Sequence, residues 1–256
     1  MNVKKAKKQK KNQFKKLFIL IIIIFIVLLL LFLHKKQKKA NINSAPTSSN
    51  TNNDLIQTIA PIVASSKEDD WALTLVNRDH YLPENYKLEL SNIDDTRQFD
   101  SRAIEYLNSM INNMRKSGIT NIWVQSSYRS IQSQENIFND NVKQCIKKGM
   151  TQEEAEKETL KIICKPGTSD HNLGLAVDLN YVNLEFENTE AFKWLVKNAH
   201  DYGFILRYPK DKFDITNVTY EPWHWRYVGA KNAKIIKEKN FCLEEYINYI
   251  TTNSSI

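Results

Sequence analysis

Seventeen apolar residues run without interruption from Leu17 to Leu33, LFILIIIIFIVLLLLFL, with eight lysines before them and four just behind. As a helix rising 1.5 Å per residue, that stretch spans roughly 25 Å, the short end of what crosses a bilayer. A cleaved signal peptide would have a shorter apolar region ending in small residues. Here the run stops against His34-Lys35-Lys36-Gln37-Lys38-Lys39. A buried core helix is the other alternative, but an aliphatic stretch framed by two lysine clusters suits it poorly. The expectation is an uncleaved, single-pass helix that places residues 17–33 in a lipid bilayer. The heavier lysine cluster lies on the N-terminal side, so the positive-inside rule assigns residues 1–16 to a basic cytoplasmic tail. Everything after the span is then extracytoplasmic, on a cell membrane and facing outward.

Charge separates along the same line. The chain of 256 residues has a formal net charge of +7, yet residues 1–40 contain twelve Lys and no Asp or Glu. Taking those twelve from seven leaves −5 for the remainder. The basic character belongs to the tail, and a nucleic-acid partner for the whole chain loses its main support. Residues 40–66, rich in Asn, Ser and Thr, cannot bury enough surface to offset chain ordering. The expected organisation is therefore a tail (1–16), an anchor (17–33), a tether (34–69) and a folded domain (70–256). At 42% hydrophobic and 25% charged, the chain has material for one sizeable core. Three cysteines leave at least one unpaired, and none has metal-site spacing. A Cys145–Cys164 bridge is disfavoured, because a helical hairpin around Gly149 would not bring the two level.

Within the domain the pattern is mixed. Trp71–Val76 reads as a strand, and Asp100 as the N-cap of a helix to Lys116 that stops at Gly118. Ile122–Ser126 reads as a strand. Ser130 caps a helix through Lys148 with Ile137, Phe138, Val142 and Ile146 inward. Thr151-x-x-Glu154 is a capping box opening a helix to about Ile163. Leu175–Asn180, Phe204–Tyr208 and Trp223–Val228 read as strands, Thr189–Tyr202 as an amphipathic helix closed by Gly203, and the end from Ala230 as helical. Strands and helices without regular βαβ alternation predict an α+β fold, a small antiparallel sheet flanked by helices.

The chemistry concentrates in two segments. His171 lies in Ser169-Asp170-His171-Asn172-Leu173-Gly174-Leu175-Ala176-Val177-Asp178, and His224 in Glu221-Pro222-Trp223-His224-Trp225-Arg226-Tyr227-Val228-Gly229. Two imidazoles and one carboxylate make a catalytic zinc site with a position left for water. An unligated carboxylate beside that position can take the water's proton. Asp178 is the natural third ligand and Glu221 the natural base. Seven residues separate His171 from Asp178, so they cannot share one face of a continuous strand. The turn-prone Asn172-Leu173-Gly174 lets His171 come from a loop and Asp178 from the next strand. Pro222 cannot donate to a ladder, which puts Glu221 at the start of the final strand. Asp170 is expected to be a solvated loop acid, and Glu185, Glu187 and Glu190 a wet surface. His34 belongs to the basic cluster, His80 to a polar loop, and His200 to packing or dipole compensation near a helix C-terminus.

These residues resemble the VanY-like D-alanyl-D-alanine carboxypeptidases, zinc peptidases of the lysostaphin/D-Ala-D-Ala/hedgehog fold. The signature S-x-H-x-x-G-x-A-x-D is met by Ser169, His171, Gly174, Ala176 and Asp178. The signature E-x-W-H-x-R-Y-V-G is met by Glu221, Trp223, His224, Arg226, Tyr227, Val228 and Gly229. An upstream S-x-Y-R-S…Q element appears as Ser126 to Ser130 with Gln134, although Ser127 stands where members often have Gly. The likeness spans about Leu73 to Gly229. It implies one Zn2+ held by His171, Asp178 and His224 on the sheet, with Glu221 as general base and acid. It implies that Arg129 meets the substrate near the scissile bond or its terminal carboxylate, which a guanidinium recognises with two parallel charge-assisted hydrogen bonds. Ser169, Gln134 and Trp223 are further candidates for substrate contact. The implied reaction is release of the terminal D-Ala from peptidoglycan stem peptides in the cell wall. L,D-carboxypeptidase action on tetrapeptides, endopeptidase action and a non-catalytic wall-binding module remain open at this stage.

Overall fold

The computed structural model describes residues 70–253, so the expected tail, anchor and tether lie outside the described residues. Among the described residues, no helix is long and apolar enough to cross a membrane. The architecture is α+β, as the pattern predicts. A two-stranded ribbon pairs β1 (Leu90–Asn92) with β2 (Gln98–Asp100). The main sheet joins β3 (Val124–Ser126), β4 (Ala176–Leu179), β5 (Phe204–Leu206) and β6 (His224–Tyr227) in the order β3-β4-β6-β5, antiparallel throughout.

Strand alternation divides this sheet into two functions. In β4, Ala-Val-Asp-Leu, and in β6, His-Trp-Arg-Tyr, every second residue is large and apolar. Val177, Leu179, Trp225 and Tyr227 therefore share one face, where they join the main core. Helix α1 (Ile104–Lys116) covers that core with Leu107, Met110, Ile111 and Met114, all buried at helical spacing. The opposite face of the same two strands carries Asp178, His224 and Arg226. Two helices form a hairpin beside this polar face: α2 (Ile131–Lys147), capped by Ser130, and α3 (Gln152–Thr159), opened by the expected Thr151/Glu154 capping box. Phe138, Val142, Cys145 and Ala155 hold the hairpin together. After α4 (Glu190–Asn198) and the short α5 (Phe213–Thr216), α6 (Ala230–Lys239) and α7 (Leu243–Asn253) close the domain over Ile205 and Val228.

Several expectations are corrected. Trp71–Val76 is no strand: Asp70–Leu73 is a 3-10 turn, and the carbonyls of Ala72 and Thr74 accept hydrogen bonds from Arg226 instead of from a ladder. Asp100 closes β2 rather than capping α1, its carboxylate accepting the N–H of Arg102 at 2.9 Å. Ile137 and Ile146 are more than a third exposed, outside the buried stripe. The segment 189–202 is an α-helix only to Asn198, followed by a 3-10 turn to Tyr202. All three cysteines are free thiols.

Gly203 ends that turn at φ +82°, where a Cβ would come within 2.7 Å of the Tyr227 ring and 3.0 Å of the Ala230 backbone nitrogen. Gly203→Ala is expected to cost about 2–3 kcal/mol, lowering Tm by roughly 5–10 °C in a thermal melt. An unchanged Tm would show that this packing is looser than described.

Candidate metal centre and active-site cleft

The register of β4 against β6 makes Asp178 and His224 direct partners, so their side chains leave the sheet together. His171 arrives from a 3-10 turn, Asp170–Leu173, which Ser169 caps by accepting the His171 N–H at 3.3 Å. Gly174 ends the turn in the left-handed region (φ +72°) and lets the chain reverse into β4. A loop histidine, a strand aspartate and a strand histidine thus meet, as the spacing argument requires. One ligand atom from each of His171, Asp178 and His224 lies within 4.8 Å of the others, and all three side chains are buried.

The His171 imidazole is oriented by its second nitrogen. His171 Nδ1 lies 2.6 Å from the Ser127 carbonyl oxygen, which fixes Nε2 toward the cluster, 3.3 Å from Asp178 Oδ2. The unusual Ser127 leaves this support intact, since the backbone provides it. His224 turns Nδ1 inward, 3.3 Å from both Asp178 Oδ1 and Glu221 Oε2, while its Nε2 faces Asp170 Oδ2 at 3.9 Å. His171 Nε2 and Asp178 Oδ1 are buried without a hydrogen-bond partner. Buried polar atoms are ordinarily satisfied. Two inward nitrogens and a carboxylate with unsatisfied atoms suit a small divalent cation of the zinc type.

The electrostatics are set by burial and by the mutual pull of these groups. Burial would raise the Asp178 pKa, but the imidazoles of His171 and His224 outweigh it and hold the carboxyl well below the usual range. Burial lowers His171 to about 4, with Arg129 adding to the effect. Burial opposes the charge on His224 as well, yet the carboxylates of Asp178 and Glu221 prevail and raise it to about 9. Burial pushes Glu221 upward, in the direction that suits a base working near neutral pH. Glu221 sits before β6, beside the cluster and outside the set of three, as expected.

These groups form the floor of a cleft of about 250 Å³ between the sheet and the α2–α3 hairpin. Arg129, Gln134, Ser169 and Trp223 all line it. Arg129 Nη1 donates to Gln134 Oε1 at 2.9 Å, Nη2 lies 3.6 Å from Asp178 Oδ2, and Nε has no partner. Gln134 also donates to the Cys164 carbonyl at 2.7 Å, so its amide is committed to holding Arg129. Ile137, Ile162 and Val182 give the cleft an apolar rim. His80 and His200 stay away from it.

Asp170 contradicts the expectation of a solvated acid. It is fully buried, accepts from Arg207 Nε at 2.8 Å, and pairs with Arg226 Nη1. Arg207 in turn makes a bidentate pair with Glu244 of α7, at 2.7 and 2.9 Å. Sequence reasoning also missed Arg207 and Glu244. The parity of Arg226 with His224 in β6 was the one available signal of this network, because it puts a guanidinium on the face that carries the ligands.

A family model for VanY, D-alanyl-D-alanine carboxypeptidase, matches residues 96–230. A D-alanyl-D-alanine carboxypeptidase of Enterococcus faecalis (strain ATCC 700802 / V583) is 39% identical over 191 residues, covering 75% of this chain and 71% of the relative. Among solved structures, a mutant of the vancomycin-resistance D,D-pentapeptidase VanY from a VanB-type cassette, in complex with Zn(II), aligns with TM-score 0.63 and 38% identity, covering 69% of this chain and 99% of that one. The LD-carboxypeptidase LdcB aligns with TM-score 0.58 and 35% identity, covering 68% and 84%.

A cation that binds His224 Nδ1 must displace a proton held with a pKa of about 9. At pH 7, binding is expected to release close to one proton, and affinity to rise about tenfold per pH unit between pH 6 and 8. Calorimetry in buffers of different ionisation enthalpy measures both. No proton release at pH 7 would contradict a protonated His224 that becomes a ligand.

Proposed function

The chain belongs to the VanY family of D-alanyl-D-alanine carboxypeptidases, and on that basis we propose that it is a zinc-dependent carboxypeptidase that releases the terminal D-Ala of peptidoglycan stem peptides. The observation that carries this reading is the buried cluster of His171, Asp178 and His224, in which His171 Nε2 and Asp178 Oδ1 have no hydrogen-bond partner, flanked by Glu221. A zinc ion held by the three supplies Lewis acidity toward a carbonyl and brings the acidity of water near neutral pH.

The chain's own groups supply the rest. Glu221 accepts the proton of the attacking water on a carboxylate oxygen and passes it to the leaving amine nitrogen, so no net proton is lost. Arg129, at the cleft wall and steadied by Gln134, faces the substrate's free carboxylate or the oxyanion that develops at the scissile carbonyl. Ser169 and Trp223 stand where the peptide backbone passes. The apolar rim excludes water around the reacting groups. The expected bilayer anchor at residues 17–33 supports a membrane-held enzyme with its N-terminus cytoplasmic and its catalytic domain facing the wall, where stem peptides end in a free D-amino acid. A tether over residues 34–69 would let the domain (70–256) reach that substrate.

The likeness to LdcB supports a second reading, in which the same site trims tetrapeptides as an L,D-carboxypeptidase. Defined penta- and tetrapeptide stems, with the released amino acid read by mass spectrometry, separate the two. D-Ala from the pentapeptide supports the D,D reading, D-Ala from the tetrapeptide alone the L,D reading, and D-Ala from neither contradicts both. A pure wall-binding module has no use for Glu221. Glu221→Gln is expected to lower kcat by about 10²–10⁴ while the protein still binds zinc. A variant of wild-type rate would refute the assignment of the base.

Arg129 makes a sharper prediction about the substrate's free end. Amidation of the terminal carboxylate is expected to reduce kcat/KM about 10²-fold in the wild type, the value of a charge-assisted pair of hydrogen bonds. Arg129→Ala should lose activity on the acid and no longer distinguish acid from amide. Persistent discrimination in that variant would assign carboxylate recognition elsewhere.

A further inference from the structure

The segment leaving β4 carries large apolar side chains in the open: Tyr181, Val182 and Leu184 are 66%, 52% and 56% exposed. A cluster of this kind at the surface marks a contact site more often than chance. The segment is also firmly built. Asn180 turns the chain at φ +57°, donates from its amide to the Asn121 carbonyl at 2.9 Å, and accepts the Trp123 N–H at 3.2 Å. Trp123 then meets Tyr181 edge to face, with centroids 5.1 Å apart and planes at 86°, which orients the phenol ring.

Val182 lines the catalytic cleft, whereas Tyr181 lines a second depression of about 400 Å³ on the other side. Neighbouring residues thus form a ridge that is the shared wall of both. The second groove also presents Asn121, Asn183, Glu185 and Glu190. An aromatic ring beside amides and carboxylates matches a pyranose, which offers an apolar C–H face and a rim of hydroxyl and acetamido groups. The two glutamates disfavour a phosphate-bearing or acidic occupant.

We propose that this groove is a subsite for the N-acetylated glycan strand from which the stem peptide hangs. The inference deepens the carboxypeptidase reading and rests on it. Reach is consistent. Asp178 and Tyr181 are three residues apart, at most about 10 Å, and a five-residue stem extends roughly 17 Å. A stem with its free end beside Arg129 is long enough to lay its sugar-bearing end across the ridge.

The test uses the purified full-length protein and two substrates: free pentapeptide, and the same pentapeptide on an N-acetylated disaccharide. The wild type is expected to show a KM roughly fivefold lower for the glycan-bearing substrate. Tyr181→Ala should abolish that difference while leaving kcat and KM for the free peptide unchanged, and Tyr181→Trp should retain it. Equal KM values in the wild type, a difference that survives Tyr181→Ala, or equal weakening of both substrates by that variant would each overturn the subsite. No D-Ala from either substrate with the wild type would instead refute the peptidase reading, and the subsite with it.

Discussion

Asp178 and His224 face each other across the β4–β6 ladder, and the rest of the site is arranged around that pairing. Because strand side chains alternate, the register that buries Val177, Leu179, Trp225 and Tyr227 in the core also turns a carboxylate and an imidazole to the other face. A slip of one residue would exchange the two sets, emptying the core and scattering the ligands at once. The stability of the fold and the geometry of the site are therefore one constraint. His171 adds the third donor from a turn that Ser169 caps and Gly174 ends, so local chain chemistry supplies what the sheet cannot.

Behind the cluster of His171, Asp178 and His224 lies a layer of buried charge. Asp170 joins Arg207 and Arg226, Arg207 joins Glu244 on α7, and Arg226 reaches the carbonyls of Ala72 and Thr74 near the start of the described residues. Burial works against the Asp170 carboxylate, but the two guanidinium groups keep its pKa lowered. Ion pairs of this kind repay their desolvation only when geometry is good, and breaking one costs about 3–5 kcal/mol. Their value here is directional. The network ties both ends of the domain to the turn that carries His171 and to the strand that carries His224, and it sets Asp170 behind that ring's outer nitrogen.

Much of this was legible in the sequence, and the exceptions have physical causes. Caps at Ser130 and Thr151 mark helix starts because they are local hydrogen-bond patterns, and the structure places both as read, while Thr189, read as the first residue of a helix, caps α4 instead. The meeting of His171, Asp178 and His224 was legible because spacing, parity and Pro222 restrict where each side chain can point. Trp71–Val76 misled because its apolar alternation suits a strand, whereas a distant guanidinium takes up its carbonyls. Asp170 misled for the same reason: an acid in a polar loop reads as solvated until Arg207 and Arg226 arrive from positions 37 and 56 residues away. Ile137 reads as core by helical spacing, yet it lines the cleft. Beyond the parity of Arg226 with His224, long-range charge pairing and functional exposure leave no local trace.

The central claim is that one divalent ion sits among His171 Nε2, a carboxylate oxygen of Asp178 and His224 Nδ1. Anomalous diffraction at the zinc edge from crystals of the protein tests it most directly. The account predicts a single peak about 2.0–2.2 Å from those three atoms, with Glu221 outside the inner set. A peak coordinated by other residues, or zinc-soaked crystals with none at this position, would contradict it.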